Sequence, residues 1–212
     1  ISPTEFIPIA ESSDLIGQLG LFAIDKAASD LMDWQLQTGD LPVFVSVNVS
    51  SAQLLNNELY NDVRAVLAKT RCEPQKIKLE LTESVVMENA EQARLILTKL
   101  KDVGLGLALD DFGTGHSSLS YLTRFPFDTI KIDKALVRDG SDKRSVLLRS
   151  VISMARELEM QVVAEGIESE EDAIELGNMG CEFGQSYLFG PPIGYDSVLR
   201  LLKERFPLMK RA

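Results

Sequence analysis

The sequence predicts an α/β protein of the closed (β/α) barrel kind, with the first strand or strands of the eight missing. Three observations predict it. Short apolar segments alternate along the chain with longer amphipathic ones. The short segments are apolar on both faces, as strands of a parallel sheet covered by crossover helices are. Nearly every one of them also ends in a polar residue that a buried strand has no local reason to carry. Alternation alone allows either an open doubly wound sheet or a barrel. The polar ends favour the barrel, because there all strand ends converge on one mouth, whereas an open sheet leaves the outer ones stranded.

The elements follow in order. ISPTEF reads as a helix start, with Ser2 as N-cap, Pro3 as first helical residue and Glu5 completing a capping box. A long amphipathic helix is predicted from about Asp14 to Gln37, with Leu15, Leu19, Phe22, Ala23, Ala27 and Leu31 at helical spacing. PVFVSVNVS is a strand ending near Asn48, followed by a helix from Asn57 to Lys69. KIKLELTES ends at Glu80 and Glu83, with a helix from Asn89 to Val103 behind it. LGLALDD ends at Asp110 and Asp111. DTIKID carries Lys131 and Asp133 and leads into a helix from Asp142 to Glu159. MQVVAEGIE ends at Glu165 and Glu168, with a helix from Glu170 to Met179. CEFGQSYLF carries Gln185, and Tyr195 to Arg205 is the last helix. Six strands leave an eight-stranded barrel two short, and the chain opens on a helix. The missing elements are therefore expected ahead of Ile1. No flexible linker interrupts the pattern, so residues 1–212 are read as one domain.

Composition narrows the function. The chain has 212 residues, 45% hydrophobic and 25% charged, with a net charge of -10. That balance suits a globular core and gives no basic footprint for a nucleic acid polymer. A phosphorylated ligand would need metal ions or a local lysine. The two cysteines, Cys72 and Cys181, are isolated in sequence, which argues against a disulfide framework or a zinc site. There is no long apolar run or signal-peptide pattern.

The converging residues are Asn48, Glu80, Asp110, Asp111, Lys131, Glu165, Glu168 and Gln185. Carboxylates with an amide and no strand-end histidine are hard oxygen ligands, suited to Mg²⁺, Mn²⁺ or Ca²⁺ rather than zinc or copper. Two such ions about 3.5–4 Å apart clamp a phosphate ester during in-line attack by activated water. A lysine there can orient the water or neutralise a developing oxyanion. Single residues have plainer explanations. Asp110 and Asp111 could cap a turn, and Glu168 could be a solvated charge in the first turn of a helix. Gln185 alone is unremarkable, His116 fits a loop, and Met154, Met160 and Phe183 fit the core. Lys131 inside an apolar strand resists such explanation, since a buried lysine needs a counter-charge.

SPTEFIPIAE, SVNVS, LELTES, LDDFGTGHSSLSYL, TIKID, VVAEGIE and GCEFGQSYLF occur in the order and spacing of the EAL-domain family. From Ile1 to about Pro192 the chain resembles these cyclic-di-GMP phosphodiesterases, which have a TIM-like (β/α)8 barrel. The resemblance implies that Asn48, Glu80 and Asp110 are metal ligands, with Asp110 bridging two ions and Asp111 on the second. It implies that Lys131 positions the attacking water, that Glu165 is a ligand or base partner, and that Gln185 lies near the second metal and its water. Glu83 matches the residue that anchors the loop after Asp111, used for metal placement and dimer contact. Glu168 and Asp133 fall in support of substrate and loops. The implied reaction hydrolyses cyclic-di-GMP to linear pGpG with two Mg²⁺ or Mn²⁺ ions and inhibition by Ca²⁺, in bacterial signalling that controls biofilm and motility. The implied setting is a cytoplasmic domain acting as a homodimer. Its parent would carry an upstream sensor or GGDEF-type domain and could be attached to the inner membrane.

Two departures stand out. The name-giving Glu-Ala-Leu motif, whose glutamate is a ligand on the first strand, should precede ISPTEF, so this chain starts just after it. Without that glutamate one ligand is lost and activity should fall steeply. The family also often has Gln-Gly-Tyr and Gly-Tyr-Ser-Ser where this chain has Gln185-Ser186-Tyr187 and Gly115-His116-Ser117-Ser118. A catalytically inactive cyclic-di-GMP receptor is the alternative, although such receptors typically lose several carboxylates that are present here. A Schiff-base aldolase using Lys131 is disfavoured, because the surrounding carboxylates would keep the lysine protonated.

Overall fold

The computed structural model describes residues 1–13, 15–56, 58–114, 122–141 and 143–206. In chain order the elements are α1 (Pro3–Ser12), α2 (Ile16–Thr38), β1 (Val45–Asn48), α3 (Ser51–Leu55), α4 (Leu59–Thr70), β2 (Ile77–Thr82), α5 (Glu83–Glu88), α6 (Ala90–Asp102), β3 (Gly106–Phe112), β4 (Thr129–Ile132), α7 (Lys134–Val137), α8 (Arg144–Glu157), β5 (Gln161–Glu165), α9 (Glu170–Met179), β6 (Phe183–Gln185) and α10 (Tyr195–Arg205). The strands are ordered β1-β2-β3-β4-β5-β6. The pairs β3–β4, β4–β5 and β5–β6 are parallel. Parallel neighbours in consecutive order, with α7 and α8 between β4 and β5 and α9 between β5 and β6, make this a TIM-like (β/α) barrel fold with strands missing.

The chain divides into two compact units. The first comprises Ile1–Leu79, Asp102–Leu105 and Pro192–Ala212. Its centre is α2, whose buried residues are Ile16, Gly20, Ile24, Ala28, Leu31 and Thr38. Of the expected stripe Leu31 is buried, but the rest is corrected: Leu15 is 52% and Phe22 64% exposed. The two stripes lie one residue apart, about 100° around the helix, and both contain apolar side chains. Packing selects the one holding Gly20, where a Cβ would lie 1.5 Å from Gln53 Nε2. Gln53 is itself held in a capping box, its backbone N–H donating to Ser50 Oγ and its side chain accepting from Ser50 N–H. The box expected at Ser2 and Glu5 does not form. Ser2 is the N-cap but its hydroxyl accepts no helix backbone N–H, pairing instead with the hydroxyl of Thr4. At the far end of α2, Trp34 stacks on Tyr195 of α10 with ring centroids 5.7 Å apart.

The second unit comprises Glu80–Lys101 and Gly106–Pro191. Its core is built from the strand residues Leu107, Ile130, Ile132, Val162 and Ala164, all essentially inaccessible, with Leu97, Leu148 and Ile152 from the helices. Asp128 ties the strand starts together. Its carboxylate accepts the Leu107 N–H at 3.1 Å and pairs with Lys101, and its carbonyl accepts the Gln161 N–H. Met160 is buried and Met154 half-buried, but Phe183 is 37% exposed and is not the core residue expected of it. β6 is only three residues long, and all three are exposed, so apolar type alone did not place Phe183 inside.

Candidate active site

The second unit carries a buried ionic centre at its strand ends. The two-residue strand period builds it. In β4 it sends Ile130 and Ile132 to one face and Lys131 to the other, and in β5 it separates Val162 and Ala164 from Glu165. Lys131 is 3% exposed. Its ammonium donates to Glu80 Oε2 at 2.7 Å and lies 2.7 Å from Glu165 Oε1 and 3.2 Å from Asp110 Oδ1. Four side chains from β2, β3, β4 and β5 thus meet at one nitrogen.

The charges explain the stability of this arrangement. Burial works against the ammonium, but the hydrogen bonds to Glu165 and Glu80, and then the charges of Glu80 and Asp110, hold the Lys131 pKa above the usual lysine range. Burial pushes the Glu165 carboxyl up, and the hydrogen bond from Lys131 opposes that rise. Three carboxylates surround one ammonium, so the centre keeps a surplus of negative charge.

Asp111 stands beside this group because the strand breaks its own rhythm. The β3–β4 register shifts between Leu109 and Phe112, and Asp111 takes a left-handed conformation with φ 57°. Such a bulge re-aims a side chain that plain alternation would send to the opposite face. The Asp111 N–H donates to Asp110 Oδ1 at 3.0 Å. Burial, and after it the charges of Asp110 and Asp133, raise the Asp111 carboxyl above the usual range. Asp133 is buried and caps α7 by accepting the Ala135 N–H at 2.7 Å.

The remaining expected residues are placed differently. Gln185 is in register with Glu165 on β6, accepts the Gly166 N–H through its carbonyl, and has an exposed side chain. Glu83 opens α5 directly after its Thr82 cap. Glu168 is exposed and pairs with Arg138 at 2.7 Å. Asn48 is exposed at the C-terminal end of β1 in the other unit. His116 lies outside the described residues. Arg138, which reaches both Glu168 and the carbonyl of Gly166, was not singled out in the sequence. Its only sequence signal is a cation at the end of the short helix after the KID strand.

The donor set fits a divalent cation. It is all oxygen, and its surplus negative charge is the kind that hard ions relieve. Among the described residues no three acidic, thiol or imidazole side chains stand open around one point, since the carboxylates close on Lys131 instead. That ammonium takes one oxygen from each of Glu80, Asp110 and Glu165, so each has a second oxygen for a metal.

The strand order and this carboxylate–lysine centre define a (β/α)-barrel protein with an acidic, metal-compatible site at the ends of its strands. The chain belongs to the EAL domain family, whose profile matches residues 1–192. A curated relative, the bifunctional diguanylate cyclase/cyclic di-GMP phosphodiesterase MucR of Pseudomonas aeruginosa, is 36% identical over 203 residues, which is 94% of this chain and 29% of that protein. The solved PaMucR phosphodiesterase in complex with c-di-GMP superposes with a TM-score of 0.87 at 34% identity, covering 93% of this chain and 81% of that one. The manganese/cy-diGMP complex of Klebsiella pneumoniae BlrP1 superposes with a TM-score of 0.77 at 30% identity, covering 88% of this chain and 47% of that one. A calcium complex of the same protein matches equally, so divalent ions accompany this fold in its relatives. The chain spans between 24% and 33% of the length of the curated relatives it matches. No helix among the described residues is long and apolar enough to cross a membrane.

Proposed function

We propose that this chain hydrolyses one phosphodiester bond of cyclic-di-GMP, releasing linear pGpG. The observation that carries the reading is the meeting of Glu80, Asp110 and Glu165 on Lys131 within 3.2 Å. Glu80, Asp110, Asp111 and Glu165 would hold two Mg²⁺ or Mn²⁺ ions, with Ca²⁺ inhibiting. Those ions supply Lewis-acid activation of water and neutralise charge on the phosphodiester. Lys131, kept protonated by its neighbours, orients the attacking water with an N–H and stabilises charge building on the phosphoryl oxygens. Glu165 shares a proton-bearing contact with that ammonium and serves as ligand or base partner, and Gln185 contributes its amide from the neighbouring strand. Glu83, Glu168 and Asp133 support the loops around the site. Residues 1–212 are taken as one EAL-type module of a longer cytoplasmic signalling protein. The cyclase activity of MucR supports a GGDEF-type or sensor domain in such a parent, and we take the active form to be a homodimer.

The test is incubation of the longer parent protein with cyclic-di-GMP and Mn²⁺ or Mg²⁺, with nucleotides separated by chromatography. The expected result is pGpG from the wild type and loss of at least about a hundredfold in Glu80→Gln, as for removal of one metal ligand or oxyanion-stabilising group. Binding of cyclic-di-GMP without pGpG would refute hydrolysis and leave a receptor.

A further inference from the structure

The site rests on a second tie between the ends of β4 and β5, made outside the ligand set. β4 continues from Lys131 through the Asp133 cap into α7, and Arg138 closes that short helix by donating its backbone N–H to the Lys134 carbonyl at 2.8 Å. From there the Arg138 Nε donates to the carbonyl of Gly166 at 2.8 Å, and Nη1 reaches Glu168 Oε1 at 2.7 Å. Gly166 is the residue directly after Glu165. Its own N–H donates to the Gln185 carbonyl at 2.9 Å. The two peptide groups of Gly166 are therefore held from opposite sides, one by β6 and one by Arg138. The backbone between them is left-handed, with φ 66°, and a Cβ there would lie 2.5 Å from Lys134 Cβ and 3.1 Å from the Arg138 guanidinium.

These contacts form a closed circuit. Lys131 binds Glu165 on the inside at 2.7 Å, and Arg138 binds the next residue on the outside, seven positions further along the same chain segment. We propose that Arg138 is a positioning residue that fixes the Glu165 carboxylate, and through it Lys131, by holding the left-handed turn at Gly166. The inference rests on the hydrolase reading for its catalytic readout but not for its structural one. Within the clamp the Gly166 bond dominates. The Arg138 and Glu168 side chains are 46% and 65% exposed, so their ion pair is screened and worth little by itself. The carbonyl, by contrast, has a fixed position that the guanidinium reaching across from the end of α7 satisfies. Outer contacts of this kind typically cost ten- to a hundredfold in metal affinity or activity when removed.

The experiment uses the full chain and reads two quantities separately: Mn²⁺ affinity by electron paramagnetic resonance, and kcat and KM for cyclic-di-GMP at saturating Mn²⁺. In Arg138→Ala the expected result is a loss of about tenfold in Mn²⁺ affinity and about tenfold in kcat, with KM within about twofold. Arg138→Lys, which keeps one donor to Gly166, should recover most of both, and Arg138→Met, which keeps the length of the side chain and no donor, serves in place of the alanine variant if that fails to fold. Arg144→Ala, which removes a structural arginine of the same unit, should lower Tm without changing Mn²⁺ affinity. An Arg138→Ala or Arg138→Met variant that matches the wild type in Mn²⁺ affinity and kcat would overturn the assignment, as would an Arg144→Ala variant that loses affinity equally. A wild type that binds Mn²⁺ without hydrolysis overturns only the hydrolase reading, and the affinity series then decides on Arg138.

Discussion

Replacing Lys131 with methionine keeps the length of the side chain and deletes its charge. Lys131 is 3% exposed and Glu80 6%, so solvent screens this centre poorly. At an effective dielectric constant of about 20, unit charges about 4 Å apart interact by about 4 kcal/mol. The variant therefore loses three attractions and leaves three carboxylates facing one another. The net cost is smaller, because crowded carboxylates take up protons, and removing one member of a buried ionic group typically costs about 3–5 kcal/mol. At about 2–4 °C per kcal/mol for a chain of this size, Tm should fall by roughly 10 °C. The sign of the pH effect follows from proton binding. Without the lysine, the carboxyl pKa values in the folded state rise above their unfolded values, so the folded state binds more protons and stability falls as pH rises. The deficit should therefore be largest at pH 7.5 in EDTA, shrink toward pH 5, and be offset by about 2.7 kcal/mol at a Mn²⁺ concentration a hundredfold above its Kd. Thermal melts at the two pH values, with and without Mn²⁺, read all three effects. A variant melting within 2 °C of the wild type at pH 7.5 in EDTA, with no pH slope of its own, would refute the idea that the lysine balances this cluster.

Three further outcomes are expected. Asp111→Gly should raise Tm by a few degrees, since it relieves a left-handed non-glycine residue worth about 1–2 kcal/mol, while abolishing turnover; a lower Tm would show that the Asp111 side chain stabilises the bulge. Gly20→Ala should destabilise by about 1–3 kcal/mol in urea unfolding, because its Cβ meets buried Gln53 at 1.5 Å. Arg144→Ala should flatten the acid limb of the stability curve. Ser145 and Arg144 hold the Glu175 carboxyl below the usual range, so its contribution is present above the unfolded glutamate pKa of about 4.3 and lost as pH falls through the folded value. Melts from pH 6 down to pH 3 compare the two limbs.

The sequence alone determined a good deal here. The alternation of apolar runs and amphipathic stretches was enough to mark six strands, although KIKLELTES, MQVVAEGIE and CEFGQSYLF run past the observed strand ends at Thr82, Glu165 and Gln185. A polar residue closing an apolar strand is an intrinsically costly choice, so Glu80, Asp110, Lys131 and Glu165 announced themselves before any geometry was known. The departures came where a local pattern had two solutions. Apolar residues on adjacent faces of α2 left its buried stripe ambiguous, and the close approach of Gln53 to Gly20 settled it. Serines before both α1 and α3 suit a capping box, yet only Ser50 has the glutamine partner in place.

Tertiary structure decided what spacing along the chain does not encode. That Lys131 donates to carboxylates 51 residues before it and 34 after it depends on the parallel register of the strands. The bulge at Asp111 depends on how β3 meets β4. The clamp of Arg138 on Gly166 depends on where a four-residue helix releases the chain beside the next strand. Residue types state which groups must find partners, because burial makes an unpaired charge expensive; only the folded backbone settles which partners they find.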